Sequence, residues 1–288
     1  MTLATSAHSV ASACLLPLVK YASRSYAAGD HLSDALNVER RLAARGLAAT
    51  IGFWNTQQDA PRLVADQYLA GLAQLGKTCP SSYLSIKLPA IDFSAELLDE
   101  VVARAAASGV RLHLDAMWPQ TAEQTRTLAE RAIAAHGARG LSLSYTLPGR
   151  WRRSLDDADW AIAAGVKLRV VKGQWADPDQ PDRDARDGFL EVIDRLAGRA
   201  AHVAVATHEL SLAAIALTRL QAAGTSCELE LLYGLPITPS LEQARRLGVS
   251  VRVYVPYGTA FLPYALSQMR RNPRIAWWML RDMVARRR

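Results

Sequence analysis

The chain has 288 residues, half of them hydrophobic, with mean hydropathy near zero, a formal charge of +7 and a pI near 9.5. That length buries a full core in one domain, and no apolar run reaches the roughly eighteen residues of a membrane span. Cys14, Cys79 and Cys227 have no paired spacing, and Cys and His do not cluster at ligand spacing. A disulfide scaffold and a structural zinc are therefore excluded, and a reducing cytoplasm is the expected setting.

Residues 1–47 read as an N-terminal helical extension. Their short apolar patch from Cys14 to Val19 lacks the basic flank and cleavage site of a signal peptide, so a packing helix is expected. From residue 48 onward, eight short β-rich runs recur about every thirty residues, at 48–54, 82–88, 110–116, 141–146, 167–173, 202–208, 227–234 and 250–258. Helical signals fill the gaps. Thr121 to Gln124 and Ser240 to Gln243 have the spacing of capping boxes. Ser154 is expected to cap a helix over 155–164 that Gly165 ends, and Ser211 to open 212–223 before Gly224. Eight β-then-α units predict a (β/α)8 TIM-like barrel over residues 48–288. The rival is a doubly wound sheet, but no Gly-x-Gly-x-x-Gly or Walker-type loop follows any run.

Barrel enzymes act at the C-terminal ends of their strands. Those ends carry Lys87, Asp115, Arg169 with Lys172, Thr207 with His208 and Glu209, Tyr233 with Gly234, and Tyr254 with Tyr257. Lys87 and Asp115 lie on neighbouring runs, close enough to pair. Period-two alternation puts His113 on the face of Asp115, and Lys167 on that of Arg169. Arg169 and Lys172 beside Gly173 predict a site for an anionic cofactor, and Trp54 and Trp175 are candidate walls for a planar ligand. The bland account is a polar layer inside the barrel. Five polar clusters falling at one end favour a site instead.

Six segments in order resemble the proline dehydrogenase family: LSIKLPA at 84–90, LDA at 114–116, LRVVKG at 168–173, ATHE at 206–209, LLYG at 231–234, and VRVYVPYG at 251–258 followed by LPY at 262–264. The likeness spans residues 29–278. It implies a barrel flavoenzyme with FAD over the strand ends, taking hydride from the carbon next to the nitrogen of proline or a proline-like secondary amine. Lys87, Asp115 and Arg169 would be the catalytic residues, with Arg169 near flavin N5. Val171, Lys172, Gly173, Thr207 and His208 would hold the cofactor with Arg169, and Gln174 and Trp175 fall beside them. Tyr254 and Tyr264 would wall the substrate pocket. The family's usual quinone acceptor implies work at the inner face of the cell membrane.

The likeness breaks where the family has an Arg-Arg pair that clamps the carboxylate of proline, followed by a Glu. Ser267 and Gln268 stand at the pair, and Arg271 at the Glu. Losing two charge-assisted clamps weakens free proline by orders of magnitude unless Arg270 or Arg271, three and four residues beyond Ser267, reaches back. Gln174-Trp175 replaces the usual Ala-Tyr, and Met117-Trp118 stands where acidic residues are usual. The flavin chemistry is thus expected to be kept and the substrate pocket rewritten. The alternatives are a barrel lyase or aldolase using Lys87 as a Schiff-base nucleophile, or a non-catalytic scaffold.

The basic excess is concentrated at 270–288, where seven arginines face only Asp282. Without interleaved aromatic platforms or a known module, this does not predict a nucleic-acid partner. Trp277 and Trp278 with Arg281 and Arg286 to Arg288 could instead anchor a C-terminal helix at an anionic membrane surface. The bland account has the tryptophans capping the barrel and the arginines in water.

Overall fold

The computed structural model describes residues 27–260 apart from Cys79. Each expected run coincides with one strand, β4 running two residues past its expected end: β1 Ala48–Phe53, β2 Tyr83–Ile86, β3 Leu112–Leu114, β4 Leu143–Pro148, β5 Lys167–Val171, β6 Val203–Ala206, β7 Cys227–Leu232 and β8 Ser250–Tyr257. All neighbours pair in parallel, and β8 closes on β1, so the eight strands form a closed (β/α)8 barrel. Helix α1 (Leu32–Ala43) precedes β1. Seven helices then form the crossovers: α2 Pro61–Thr78, α3 Ala95–Ser108, α4 Ala122–His136, α5 Ser154–Ala163, α6 Ala185–Leu196, α7 Leu210–Ala222 and α8 Thr238–Leu247. A doubly wound sheet is thereby ruled out.

Helix α1 buries Ala35, Val38 and Leu42 in the shared core, against β1 and β8. The expected extension therefore includes a helix built into the barrel wall. Residues 1–26 and 261–288 lie outside the described residues. No described helix is long and apolar enough to cross a membrane.

The outer faces of the strands are apolar and fully covered by helices, as parallel strands require. Ile51, Leu84, Ile86, Leu112, Val170, Val205, Leu229 and Val255 are all buried there. The inner faces are polar. Barrel interiors are usually filled by branched apolar side chains, whereas this one holds a column of paired charges. At its base Arg252 grips Glu228 with Nε–Oε1 at 2.8 Å and Nη2–Oε2 at 3.2 Å. Its Nη1 donates to the carbonyls of Ala49 and Ser81, and its guanidinium sits 4.1 Å from the centre of the Tyr83 ring. Burial alone would raise the Glu228 carboxyl, but His202 and Arg252 pull it down to about 2. Midway up, His113 is bound on both ring nitrogens, to Ser144 Oγ at 2.8 Å and Thr146 Oγ1 at 2.6 Å.

The helix ends depart from expectation. Thr121 precedes α4, but its hydroxyl donates back to the Trp118 carbonyl and caps nothing. Ser240 is the third residue of α8, which starts at Thr238-Pro239 because proline suits a first turn. Ser154 is the first residue of α5, with its hydroxyl spent on the Pro148 carbonyl at 2.6 Å. Ser211 lies inside α7, behind the N-cap Glu209. Side chains that do cap include Asp34, accepting from the His31 amide, Ser94, accepting from the Leu97 amide, and Asp184, accepting from the amides of Arg186 and Asp187. Gly165 and Gly224 do stop their helices, at φ of +67° and +73°.

Candidate active site

The C-terminal mouth of the barrel opens into a cavity of about 500 Å³. Its lining brings together Lys87, Asp115, Arg169, Val171, Lys172, Gly173, Gln174, Trp175, Thr207, His208 and Tyr254 from five separate segments of the expected site. Trp54, Met117 and Trp151 add apolar wall. Tyr257 turns the other way: it packs on Phe53 outside the barrel, and its hydroxyl faces Gln67. Tyr264, Ser267, Gln268, Arg270, Arg271 and the proposed membrane helix at 273–288 lie outside the described residues.

The floor is an ionic cluster centred on Arg169. The guanidinium is 5% exposed and holds two carboxylates. Nε and Nη2 make parallel hydrogen bonds to Glu230, at 2.8 and 2.7 Å, while Nη1 donates to Asp115 Oδ1 at 2.7 Å. Thr50 on β1, beyond β8, donates to Glu230 Oε1 at 2.9 Å. The second oxygen of Asp115 accepts from Tyr254 at 3.0 Å and lies 3.8 Å from Lys87 Nζ. Burial would depress the Arg169 guanidinium, but Glu230, Tyr83 and Asp115 hold it well above its ordinary value. Lys87 is pushed down by burial and by Arg169, against the pull of Asp115. Its ammonium donates to the Phe53 carbonyl at 2.9 Å. His113 does share the face of Asp115, with Nε2 at 3.6 Å, but burial and nearby arginines keep it neutral.

The aromatic ring of Tyr254 leans on Arg169, 5.2 Å from ring centre to guanidinium carbon. Gly52 makes room for it, because a Cβ there would occupy the place of the Tyr254 hydroxyl. Gly173 has φ of +94°, and a Cβ would press on Pro148 and Arg150 at 3.1 and 3.3 Å. Packing between β4 and β5 thus already requires this glycine, apart from any ligand. Trp118 and Trp175 meet at the rim, with ring centres 5.8 Å apart.

The rim above β5 and β6 is basic. Lys172 Nζ lies 3.2 Å from Glu209, which also pairs with Arg186. Beside them Arg150 keeps a buried Nε with no partner among the described residues. Its backbone is tied to Lys172, with Arg150 N donating to Lys172 O at 3.0 Å. Three cations around Glu209 and the helix-capping Asp184, one of them with an orphaned donor, suit an anionic group such as a diphosphate. His208 offers its ring face only. Nε2 accepts from the Leu232 amide at 2.8 Å, and the other nitrogen is engaged with the Pro236 backbone. Thr207 Oγ1 is likewise engaged, accepting from the Glu209 amide at 3.1 Å.

Sequence reasoning missed Arg150 and Arg186 at the rim and Glu230 at the floor, of which Glu230 was legible. Its signal was there: Glu228 and Glu230 alternate in the strand Cys227–Leu232, so both face the barrel axis. Two inward carboxylates in an apolar strand require cationic partners.

No family model matches the chain. It is 26% identical over 280 residues to Proline dehydrogenase 1 of Bacillus subtilis, covering 91% of this chain and 90% of the relative. It is 25% identical to Proline dehydrogenase of Deinococcus radiodurans, covering 90% and 89%. Among solved structures it superimposes on proline utilization A from Bdellovibrio bacteriovorus with a TM-score of 0.74 and 15% identity, over 86% of this chain. The chain spans about a third (32%) of that protein's length. The similarity to proteins named proline dehydrogenase thus extends along nine-tenths of the chain.

Proposed function

We propose that the protein is an FAD-dependent dehydrogenase that oxidises proline, or a proline-like secondary amine, at the carbon next to nitrogen. The carrying observation is the buried Arg169 cluster at the floor of a cavity whose rim sets three cations, Lys172, Arg150 and Arg186, against the carboxylates of Glu209 and Asp184. Lys172, Arg150 and Arg186 would receive the phosphates, and Val171, Gly173, Gln174, Trp175, Thr207 and His208 would shape the bed of the ring system. When bound, FAD supplies the hydride acceptor.

The chain's own residues orient and compensate. Arg169 uses three of its five N–H groups on Glu230 and Asp115, which leaves two to meet charge that develops above the floor. Lys87 and Tyr254 hold Asp115 in place, and the ring of Tyr254 walls off water from the reacting carbon. Lys87 is engaged by Phe53 and Asp115, so a Schiff-base lyase would have to break both ties and would leave Arg169 without a role.

Each cation of the described floor already faces a carboxylate. A free substrate carboxylate would therefore depend on Arg270 or Arg271, and an esterified, tethered or acid-free amine would need neither. The electron acceptor would be a quinone, met at a membrane surface.

The test starts with a visible spectrum of the purified protein, followed by anaerobic bleaching with proline, a proline ester and pyrrolidine. A flavin band bleached by any of the three supports the reading. Proline alone bleaching, with loss in Arg270→Ala or Arg271→Ala, assigns the relocated clamp. A protein that neither retains nor takes up FAD overturns the reading. Arg169→Met should slow bleaching by on the order of 10²-fold with smaller loss of FAD affinity.

A further inference from the structure

We infer that Glu230 is a positioning residue that makes Arg169 an oriented hydrogen-bond donor with little net charge, and so lowers the electron affinity of the cofactor site. The second half rests on the flavin reading above; the first half does not.

The geometry is specific. Glu230 is 3% exposed and meets Arg169 edge to edge through two parallel hydrogen bonds, at 2.8 and 2.7 Å. That fork fixes the plane of the guanidinium as well as its position. The carboxylate is itself fixed from two strands away, because Thr50 Oγ1 on β1 donates to Oε1 at 2.9 Å. Asp115 takes a further N–H from the other side at 2.7 Å. Arg169 can therefore neither swing nor withdraw, and its two remaining N–H groups hold their directions.

The charges at the floor cancel. Lys87 and Arg169 contribute two positive charges, and Asp115 and Glu230 two negative ones, within one chain of contacts. Of the two carboxylates, Asp115 is tied to three groups at the floor: Arg169, Lys87 and Tyr254. Among the described residues Glu230 hydrogen-bonds to Arg169 and Thr50, and it also lines the cavity beside Arg169. It acts on the cavity by orienting Arg169 and through its charge. A buried negative charge at that distance opposes any added negative charge on a group above Arg169, since buried pairs are poorly screened. A two-electron reduction adds such charge.

The test uses the FAD-loaded protein and reads the two-electron midpoint potential by dye equilibration. Glu230→Gln keeps the size and one acceptor but removes the charge. The inference expects at least a tenfold shift of the oxidised-to-reduced ratio toward reduced, about 30 mV upward, with Kd for FAD changed less than threefold. Glu230→Asp keeps the charge and should stay within twofold of the parent ratio. An unchanged or lower potential in Glu230→Gln, or equal shifts in both variants, overturns it. If Glu230→Gln fails to fold, Asp115→Asn removes the other carboxylate from the same guanidinium and must move the potential upward; a downward move overturns the inference.

A protein that takes up no FAD sinks the flavin reading separately, and with it the second half of this one. The anchoring half is then read in the apoprotein by a double-mutant cycle of Arg169→Met and Glu230→Gln in urea unfolding. A coupling of tenfold or more in the unfolding constant supports the anchor, and additivity overturns it.

Discussion

At the scale of single residues, several side chains of the site bond to the protein's own backbone. His208 is the clearest case. Burial, against the Pro236 backbone contact, lowers its imidazole from near 6.5 to about 4. A histidine held neutral in the fold binds fewer protons than the unfolded chain between those values. Stability is therefore unaffected above pH 6.5 and falls as the pH drops from 6.5 toward 4, by about 3 kcal/mol in all. Urea unfolding at half-unit pH steps should show this slope, reduced in His208→Asn. An equally steep slope in that variant would place the proton elsewhere. The sequence marked His208 as a strand-end residue, and the structure puts it at the cavity. Its role as a neutral acceptor for the Leu232 amide was not legible, because that partner lies 24 residues away on the next strand.

At the scale of elements, close backbone approach decides what tolerates change. Gly188 lies in the first turn of α6, and a Cβ there would run into the carbonyl oxygen of Gly149 and approach Arg183 Nε at 2.9 Å. Replacing a helical glycine by alanine ordinarily gains about 1 kcal/mol, but overpacking costs about 1–3 kcal/mol. The obstructing atom is backbone, so the cost should win. Gly188→Ala is expected to lower the urea midpoint, and a raised midpoint would show that α6 can shift freely. The expected serine and threonine caps failed for a related reason. Ser154 and Thr121 turn their hydroxyls toward backbone carbonyls that precede the helix, Pro148 at the end of β4 and Trp118, and that orientation leaves neither oxygen on a helix amide. Local spacing announces that a polar residue stands near a helix start; the loop's path decides which partner it reaches.

At the scale of the whole molecule, a column of ion pairs occupies the place where a barrel normally packs branched hydrocarbons. Breaking a buried pair on one side leaves an uncompensated charge, which costs about 3–5 kcal/mol. Arg252→Leu should be destabilised by that amount, with Glu228 left to His202. The double variant Arg252→Leu with Glu228→Leu should recover most of it, since a buried pair replaced by hydrocarbon is often neutral or better. No recovery in chemical unfolding would mean that the donors to the Ala49 and Ser81 carbonyls, more than the charge, carry the stability. Glu228 also sets an acid limit. With its carboxyl depressed from 4.5 to about 2, its stabilisation is complete above pH 4.5 and is lost as the pH falls through that window.

Barrel class, strand order and the identity of most cavity residues follow from the sequence alone. Eight β-rich runs at thirty-residue intervals admit few topologies, and period-two alternation says which side chains face the axis. Lys87, Asp115, Arg169 and Tyr254 could be placed together in advance because they fall at the strand ends, and the resemblance to the proline dehydrogenases gave them roles. Only the tertiary structure decided who binds whom. Arg169 and Glu230 are 61 residues apart, Asp115 and Tyr254 139, and Thr50 and Glu230 180. Alternation gives the face of a strand but not the height at which its side chains meet those opposite. That height is set by strand tilt and stagger, which arise when β8 closes on β1. Closure is a property of all eight strands at once, so no local segment carries it.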